Sequence, residues 1–274
     1  MTSASPPTRV RLHIQDSGGK GRPVVLIHGW PLSGEAFKPQ IAPLVDAGYR
    51  VIAYDRRGFG RSDKPADGFD YDTLTSDLAG LLEEHDLRDV TLLGFSMGGG
   101  EVARYIATHG EDRLRSVVFA SAVPPWLMKS DDNPEGPLTP EKAKEKDAGL
   151  RAGRQEFFDK FANDFFSAKG ELKVTEAQRQ EALAVCLQSD QAAALACMQA
   201  FATTDFRADL KKVTVPTLVL HGDSDAIVPF EGSGKRTHAA IAGSELAVLT
   251  DAPHGCNVSH PDAFNAALLA FLAK

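Results

Sequence analysis

The sequence predicts an α/β fold: a mostly parallel sheet flanked by helices, with a helical cap inserted between two strands. Three observations lead there. Short runs rich in Val, Ile and Leu recur along the chain, and continuous apolar runs of this length read as strands buried on both faces. Helical stretches alternate with them, which argues parallel strands covered on both sides. The alternation then stops between Pro124 and Phe206.

The elements follow in order. Val10–Ile14 and Val24–His28 are strand candidates, then Ala36–Ala47 is a helix and Arg50–Asp55 a strand. Asp72–His85 reads as a helix, Val90–Phe95 as a strand, Met97–His109 as a helix and Ser116–Ala120 as a strand. Pro124, Pro125 and Trp126 then open a turn-rich, charged stretch that runs through Asp131–Pro140. After it come helical patterns carrying Phe157, Phe158, Phe161, Phe165 and Phe166, and a run from Ala182 to Ala202 that is nearly all Ala, Leu, Gln and Met. The charge run Glu141–Asp147 reads as a solvated helix face. The rhythm resumes with the strand Thr214–His221, the helix Gly232–Ile241, the strand Glu245–Thr250 and the helix Pro261–Ala273. The economical division is one domain: residues 1–123 and 207–274 as core, residues 124–206 as cap.

Composition narrows the class. With 274 residues, 43% hydrophobic and 24% charged, the chain is long enough for a large core and has the balance of a globular protein. A net charge of −7 removes the basic footprint of a nucleic-acid binder and the pull toward an anionic membrane. No apolar run reaches about 18 residues, so no spanning helix is expected. Met1 to Arg9 are polar and lack the apolar stretch of a secretory signal. Cys186, Cys197 and Cys256 are an odd count without metal-type spacing, which fits a reducing cytoplasm better than a disulfide scaffold.

The chemistry centres on Gly94-Phe95-Ser96-Met97-Gly98. A bare G-x-S-x-G is a weak pattern, but here a strand precedes it and a helix follows it, the context of a nucleophile elbow. Such a turn is so tight that side chains two positions either side of the serine would clash, hence Gly94 and Gly98. Ser96 then stands exposed at the positive end of a helix. No phosphate-loop pattern competes for these glycines.

A serine hydroxyl needs a base. His254 follows the last strand candidate and precedes the last helix, at the end of the sheet where Ser96 lies, and the chain order Ser, Asp, His suits a triad. The acid belongs on the preceding loop, His221 to Pro229, which offers both Asp223 and Asp225; one orients the imidazole, the other forms a turn or cap. An oxyanion hole requires two N–H donors. Met97, the residue after the nucleophile, supplies one. Trp30, in His28-Gly29-Trp30-Pro31, supplies the other, with Gly29 adopting an unusual backbone angle and Pro31 biasing Trp30 away from helix. His28 reads as a buried residue that pins this loop by hydrogen bonds rather than as a second base. Phe95, Pro31, Trp126, Phe161, Phe165, Phe201, Ile227 and Phe230 are candidates for the substrate pocket, with ordinary core packing as their alternative. An apolar wall of this kind favours small aryl or alkyl acyl groups over charged ones.

Together these residues resemble the α/β-hydrolase fold along nearly the whole chain. The closer resemblance is to the cofactor-free bacterial haloperoxidases, also described as perhydrolases or aryl esterases. It is carried by Tyr54 through Asp63, Gly94 through Tyr105, Thr204 through Leu210, and His221 through Phe230. The resemblance implies that Asp225 is the triad acid and that Trp30 and Met97 are the oxyanion donors. It further implies serine esterases of modest specificity that also convert acids or esters and hydrogen peroxide into peracids, which oxidise halide with neither metal nor cofactor. A proline at the position of Pro31 goes with peroxide use in the family. The resemblance also implies a homo-oligomer, a dimer, trimer or hexamer. Two departures are Cys256, two after His254, where the family often has a large apolar residue, and the pair Trp126-Leu127 in the cap lining. Cys256 reads as a small buried filler.

The expected reaction is attack of Ser96 on a small ester, with partners limited to the ester or carboxylic acid and hydrogen peroxide. A lactonase or lactamase on the same triad is the alternative within enzymes, and a receptor-like ligand binder the alternative outside them. A dehalogenase or epoxide hydrolase would carry aspartate at position 96.

Overall fold

A computed structural model describes residues 9–274. The expectation drawn from Met1 to Arg9 lies almost wholly outside the described residues. Seven strands form one sheet: β1 (Ile14–Asp16), β2 (Pro23–Ile27), β3 (Arg50–Tyr54), β4 (Val90–Phe95), β5 (Leu114–Ala120), and, after the cap, β8 (Thr217–Gly222) and β9 (Glu245–Leu249). The spatial order is β1-β3-β2-β4-β5-β8-β9, and only β1 runs antiparallel to its neighbour. All six positions of β4 are buried, as a central strand covered on both faces requires.

Eleven helices are defined among the described residues. Five cover the sheet early or late in the chain: α1 (Lys38–Asp46), α2 (Tyr71–Glu84), α3 (Met97–His109), α9 (Gly234–Ala240) and α11 (Pro261–Leu272). The inserted region contributes α4 (Pro140–Ala152), α5 (Arg154–Phe166), a two-stranded ribbon of β6 (Ser167–Ala168) and β7 (Glu171–Leu172), α6 (Glu176–Leu187) and α7 (Gln191–Thr203). Single turns, α8 (Arg207–Leu210) and α10 (Cys256–Ser259), complete the set. None is long and apolar enough to cross a membrane.

The expected elements are present, with four differences. The first strand starts at Ile14 rather than Val10, because the N–H groups of Arg11 and His13 bond to Asp63 Oδ2 and Ser62 Oγ, each at 2.8 Å, instead of joining the ladder. Strand β8 starts at Thr217: Pro216 lacks a donor, and the N–H groups of Thr214 and Val215 go to the Glu111 carboxylate. The Ala-rich run is divided between two helices. Asp190 accepts the Ala193 N–H at 3.0 Å and so starts α7, while Arg154 holds Ser189 Oγ at 2.9 Å in the break. The ribbon β6–β7 is a strand pair where no strand was expected, turned by Lys169 and Gly170 at φ 53° and 82°.

Candidate active site

The turn between β4 and α3 is built around Ser96, whose backbone sits at φ 54°, ψ −116°, a region that non-glycine residues enter only where their surroundings hold them. Three hydrogen bonds do so: the Ser96 N–H to Ala120 O (2.9 Å), and the N–H groups of Gly99 and Val123 to Ser96 O (3.0 and 3.1 Å). The flanking glycines are sterically required. A Cβ on Gly94 would lie 2.4 Å from Gly98 O, and one on Gly98 would lie 2.3 Å from the Ile27 carbonyl oxygen of β2. The hydroxyl is therefore presented at the C-terminal end of the sheet, above the first turn of α3.

Two loops from other strands meet it there. His254 Nε2 is 2.9 Å from Ser96 Oγ, and His254 Nδ1 is 2.6 Å from Asp225 Oδ2. Because Nδ1–H donates to the ionised carboxylate, Nε2 is left as an acceptor toward the serine. Both partners are buried. The imidazole lies between the rings of Phe95 and Phe165, at 5.3 and 5.2 Å between centroids.

Of the two aspartates left open by composition, Asp225 faces His254. Its Oδ1 accepts the N–H groups of Ile227 (2.9 Å) and Val228 (2.8 Å), and His221 Nε2 lies 3.2 Å from Oδ2. Burial opposes ionisation of Asp225. The attraction of His254, with hydrogen bonds from His221 and His254, outweighs it and holds the carboxyl well below the usual carboxylate range. Asp223 instead ties the loop, accepting Ser224 Oγ and the Asp251 N–H, each at 2.8 Å.

The loop after β2 carries Trp30 and Pro31, joined by a cis peptide bond, and lies against Ser96. Gly29 is needed here for space, which corrects the expectation of an unusual backbone angle: its φ is not in the left-handed region, but a Cβ would stand 2.9 Å from Phe95 Cδ1 and 3.0 Å from Ser96 Cβ. The Trp30 indole reaches into the inserted region, donating to Ala194 O at 2.8 Å and meeting Phe161 and Phe201 edge-on at 5.3 and 5.7 Å. Met97 is fully buried at the start of α3.

His28 pins this loop. The Arg56 N–H donates to His28 Nε2 at 2.9 Å, so Nδ1 carries the proton and donates to Gly29 O at 2.9 Å. Burial and the Arg56 charge push its pKa well below the usual histidine range. Behind it is a device that sequence reasoning missed. The Arg56 guanidinium donates to the His28 carbonyl (2.6 Å) and through Nε to Glu101 Oε1 (2.6 Å), while Tyr54 OH donates to Glu101 Oε2 at 3.0 Å. Arg56 is 1% exposed and Glu101 0%. The pair ties the Trp30 loop to the helix that follows Ser96. The only signal in the sequence was a lone Glu in the otherwise small and apolar first half of α3.

A cavity of about 280 Å³ opens above Ser96 and His254. Phe161, Phe201 and Ile227 border it, as does Trp30. The other pocket candidates lie elsewhere. Phe95 and Phe165 back the imidazole, and Phe165 faces a separate cleft with Leu32 and Val258. Pro31 is buried beside the cavity without bordering it. Trp126 turns its ring under the Arg207 guanidinium at 4.8 Å, and Phe230 packs on His221 at 5.7 Å. In their place stand Leu127, Leu138, Phe157, Met198 and, unforeseen, Lys142 and Lys146. The run Glu141–Asp147 is thus a largely solvated face with two lysines reaching the cavity. Cys256 is fully buried with Sγ 3.5 Å from Ser121 Oγ, and burial pushes its thiol up to about 12, so it is no rival nucleophile.

Comparison with known proteins agrees with this architecture. A family model described as alpha/beta hydrolase fold matches residues 22–184. A non-heme chloroperoxidase of Kitasatospora aureofaciens is 46% identical over 259 residues, 93% of this chain and 94% of that protein. A bifunctional esterase/perhydrolase of Acinetobacter calcoaceticus is 36% identical, covering 96% of each chain. Among solved structures, a bromoperoxidase from Bacillus anthracis superposes with a TM-score of 0.95 at 52% identity, over 97% of this chain and 96% of that one. An esterase from Exiguobacterium antarcticum gives 0.91 at 32%, over 97% and 96%. The chain belongs to the α/β-hydrolase family, among its non-heme haloperoxidase, perhydrolase and esterase members.

Proposed function

We propose that this chain is a serine hydrolase of small carboxylic esters that works through an acyl-enzyme and passes the acyl group to hydrogen peroxide as well as to water. The observation that carries this is the continuous relay Ser96 Oγ, His254, Asp225, with contacts of 2.9 and 2.6 Å, at the floor of a mostly apolar cavity. Ser96 Oγ attacks the acyl carbon as its proton moves to His254 Nε2. The backbone N–H groups of Trp30 and Met97 stabilise the oxyanion, each donor contributing about 3–4 kcal/mol at the transition state. The C–O bond to the alcohol breaks, and the alcohol leaves with the proton from Nε2. Water or hydrogen peroxide then attacks the acyl carbon while His254 takes its proton. The bond to Ser96 breaks, the serine regains that proton, and an acid or a peracid departs. A peracid and bromide yield a carboxylate and hypobromous acid. The naming of relatives as chloroperoxidase, bromoperoxidase and esterase/perhydrolase supports this reading.

The test is a panel of aryl esters, lactones and lactams, each with and without peroxide, with bromination of a phenol followed in acetate buffer. Ester turnover with peroxide-dependent bromination is expected. Turnover confined to lactones or lactams assigns the triad to a narrower hydrolase. No covalent adduct with a fluorophosphonate assigns the chain to ligand binding.

The two aspartates separate cleanly. Asp225→Asn is expected to lower kcat by about 10⁴-fold, because an amide stabilises neither the tautomer nor the charge of His254. Asp223→Asn stays within a few-fold. Equal losses would overturn the choice between them. Since ionised Asp225 is favoured by folding, its contribution to stability is complete above the ordinary carboxylate range and is lost progressively as pH falls from there through its depressed value. Asp225→Asn therefore flattens the acid side of a stability-against-pH curve.

A further inference from the structure

Among the described residues, Lys142 and Lys146 are the two charged side chains that border the cavity of Ser96 and His254, and no carboxylate borders it. Both are exposed, so they span from the cavity to solvent. Among the described residues neither ammonium makes an ion pair or a side-chain hydrogen bond. Of the nearby acids, Asp147 binds Arg151 at 2.7 Å and Asp164 binds Lys160, while Glu145 attracts Lys146 without forming an ion pair with it. Desolvation outweighs the attraction of Asp164 and lowers the pKa of Lys146 from the usual lysine value. The spacing also asks for a reason. Like charges four residues apart on one helix face repel and weaken the helix, yet α4 holds this pair side by side over the cavity. An anion between them would remove that repulsion.

We propose that Lys142 and Lys146 form an anion-recognising subsite at the mouth of the cavity, selecting acyl donors that carry a second, ionised carboxylate, such as half-esters of short dicarboxylic acids. The inference rests on the reading of the cavity as an acyl pocket. The reacting carbonyl sits at Ser96, the methylene chain lies along Phe161 and Phe201, and the distal carboxylate meets the two ammoniums. It reverses the expectation from sequence that the pocket prefers uncharged acyl groups. Opposite charge at a cavity mouth also raises the local concentration of the anion and its rate of entry.

Binding can be read without turnover in Ser96→Ala, by calorimetry with monomethyl glutarate and dimethyl glutarate. The half-ester is expected to bind about tenfold tighter than the diester at low salt, with the preference shrinking as salt is added. Adding Lys142→Gln and Lys146→Gln together should bring the two ligands to within about twofold, whereas the paired Lys→Arg changes should keep the preference. Equal binding of the two esters in Ser96→Ala, or a preference that survives both glutamines, overturns the subsite. Nitrophenyl ester turnover by the unaltered chain separates the two ideas. Turnover without anion preference sinks the subsite alone, and anion preference without turnover sinks the hydrolase alone.

Discussion

Ser96→Ala is expected to lower the turnover of nitrophenyl acetate by roughly 10⁵–10⁶-fold, the scale on which removal of a nucleophile acts when base and acid remain. The fold should be indifferent. The hydroxyl makes one hydrogen bond, to His254, and alanine takes the same backbone angles as serine. A thermal melt within a few degrees of the parent is expected alongside the kinetic loss. Retention of even a tenth of the activity would mean that another group attacks the ester. The buried, weakly acidic Cys256 is already excluded from that role by its surroundings.

The largest effect on stability is expected at Glu101. Glu101→Ala leaves the Arg56 guanidinium fully buried with no counter-charge, and breaking a buried pair from one side costs about 3–5 kcal/mol. For a chain of this size that is a fall in melting temperature of roughly 6–20 °C. The double change Arg56→Met with Glu101→Leu removes both charges and should recover part of the loss, since an ion pair in the interior contributes little beyond its own desolvation. A single variant that melts within about 2 °C of the parent would show that the pair is not what ties the Trp30 loop to α3.

What was legible in the sequence has a common physical origin. Strands buried on both faces are mostly apolar, so β2, β4 and the second half of β5 announce themselves. The elbow is legible because two backbones approach so closely at Gly94 and Gly98 that no other residue fits. What was not legible depends on direction rather than composition. Asp223 and Asp225 are the same residue type on one loop, and only the turn that aims the N–H groups of Ile227 and Val228 at one of them decides which faces His254. Phe157 and Phe161 lie one turn apart and border the cavity, whereas on the same helix Phe158 faces the core and Phe165 backs the imidazole. Arg56, Glu101, Lys142 and Lys146 look alike in a sequence, as charges. The first two are sealed in the interior and the last two stand at the site, because packing of distant elements determines where each ends up.

The Gly255 N–H donates to Phe165 O at 2.8 Å, and a Cβ on Gly255 would collide with the Phe165 and Phe166 rings at 2.4 and 2.5 Å. The roof is therefore fastened at α5 to the residue next to the imidazole, and Lys169 and Lys173 add a second fastening through Asp251. A roof anchored along that margin cannot rise there without pulling on Gly255, the neighbour of His254. On the proposed reading, acyl groups enter on the α4 side, where Lys142 and Lys146 stand exposed, and a variant that loosens the α5 seam is expected to lose activity by displacing His254.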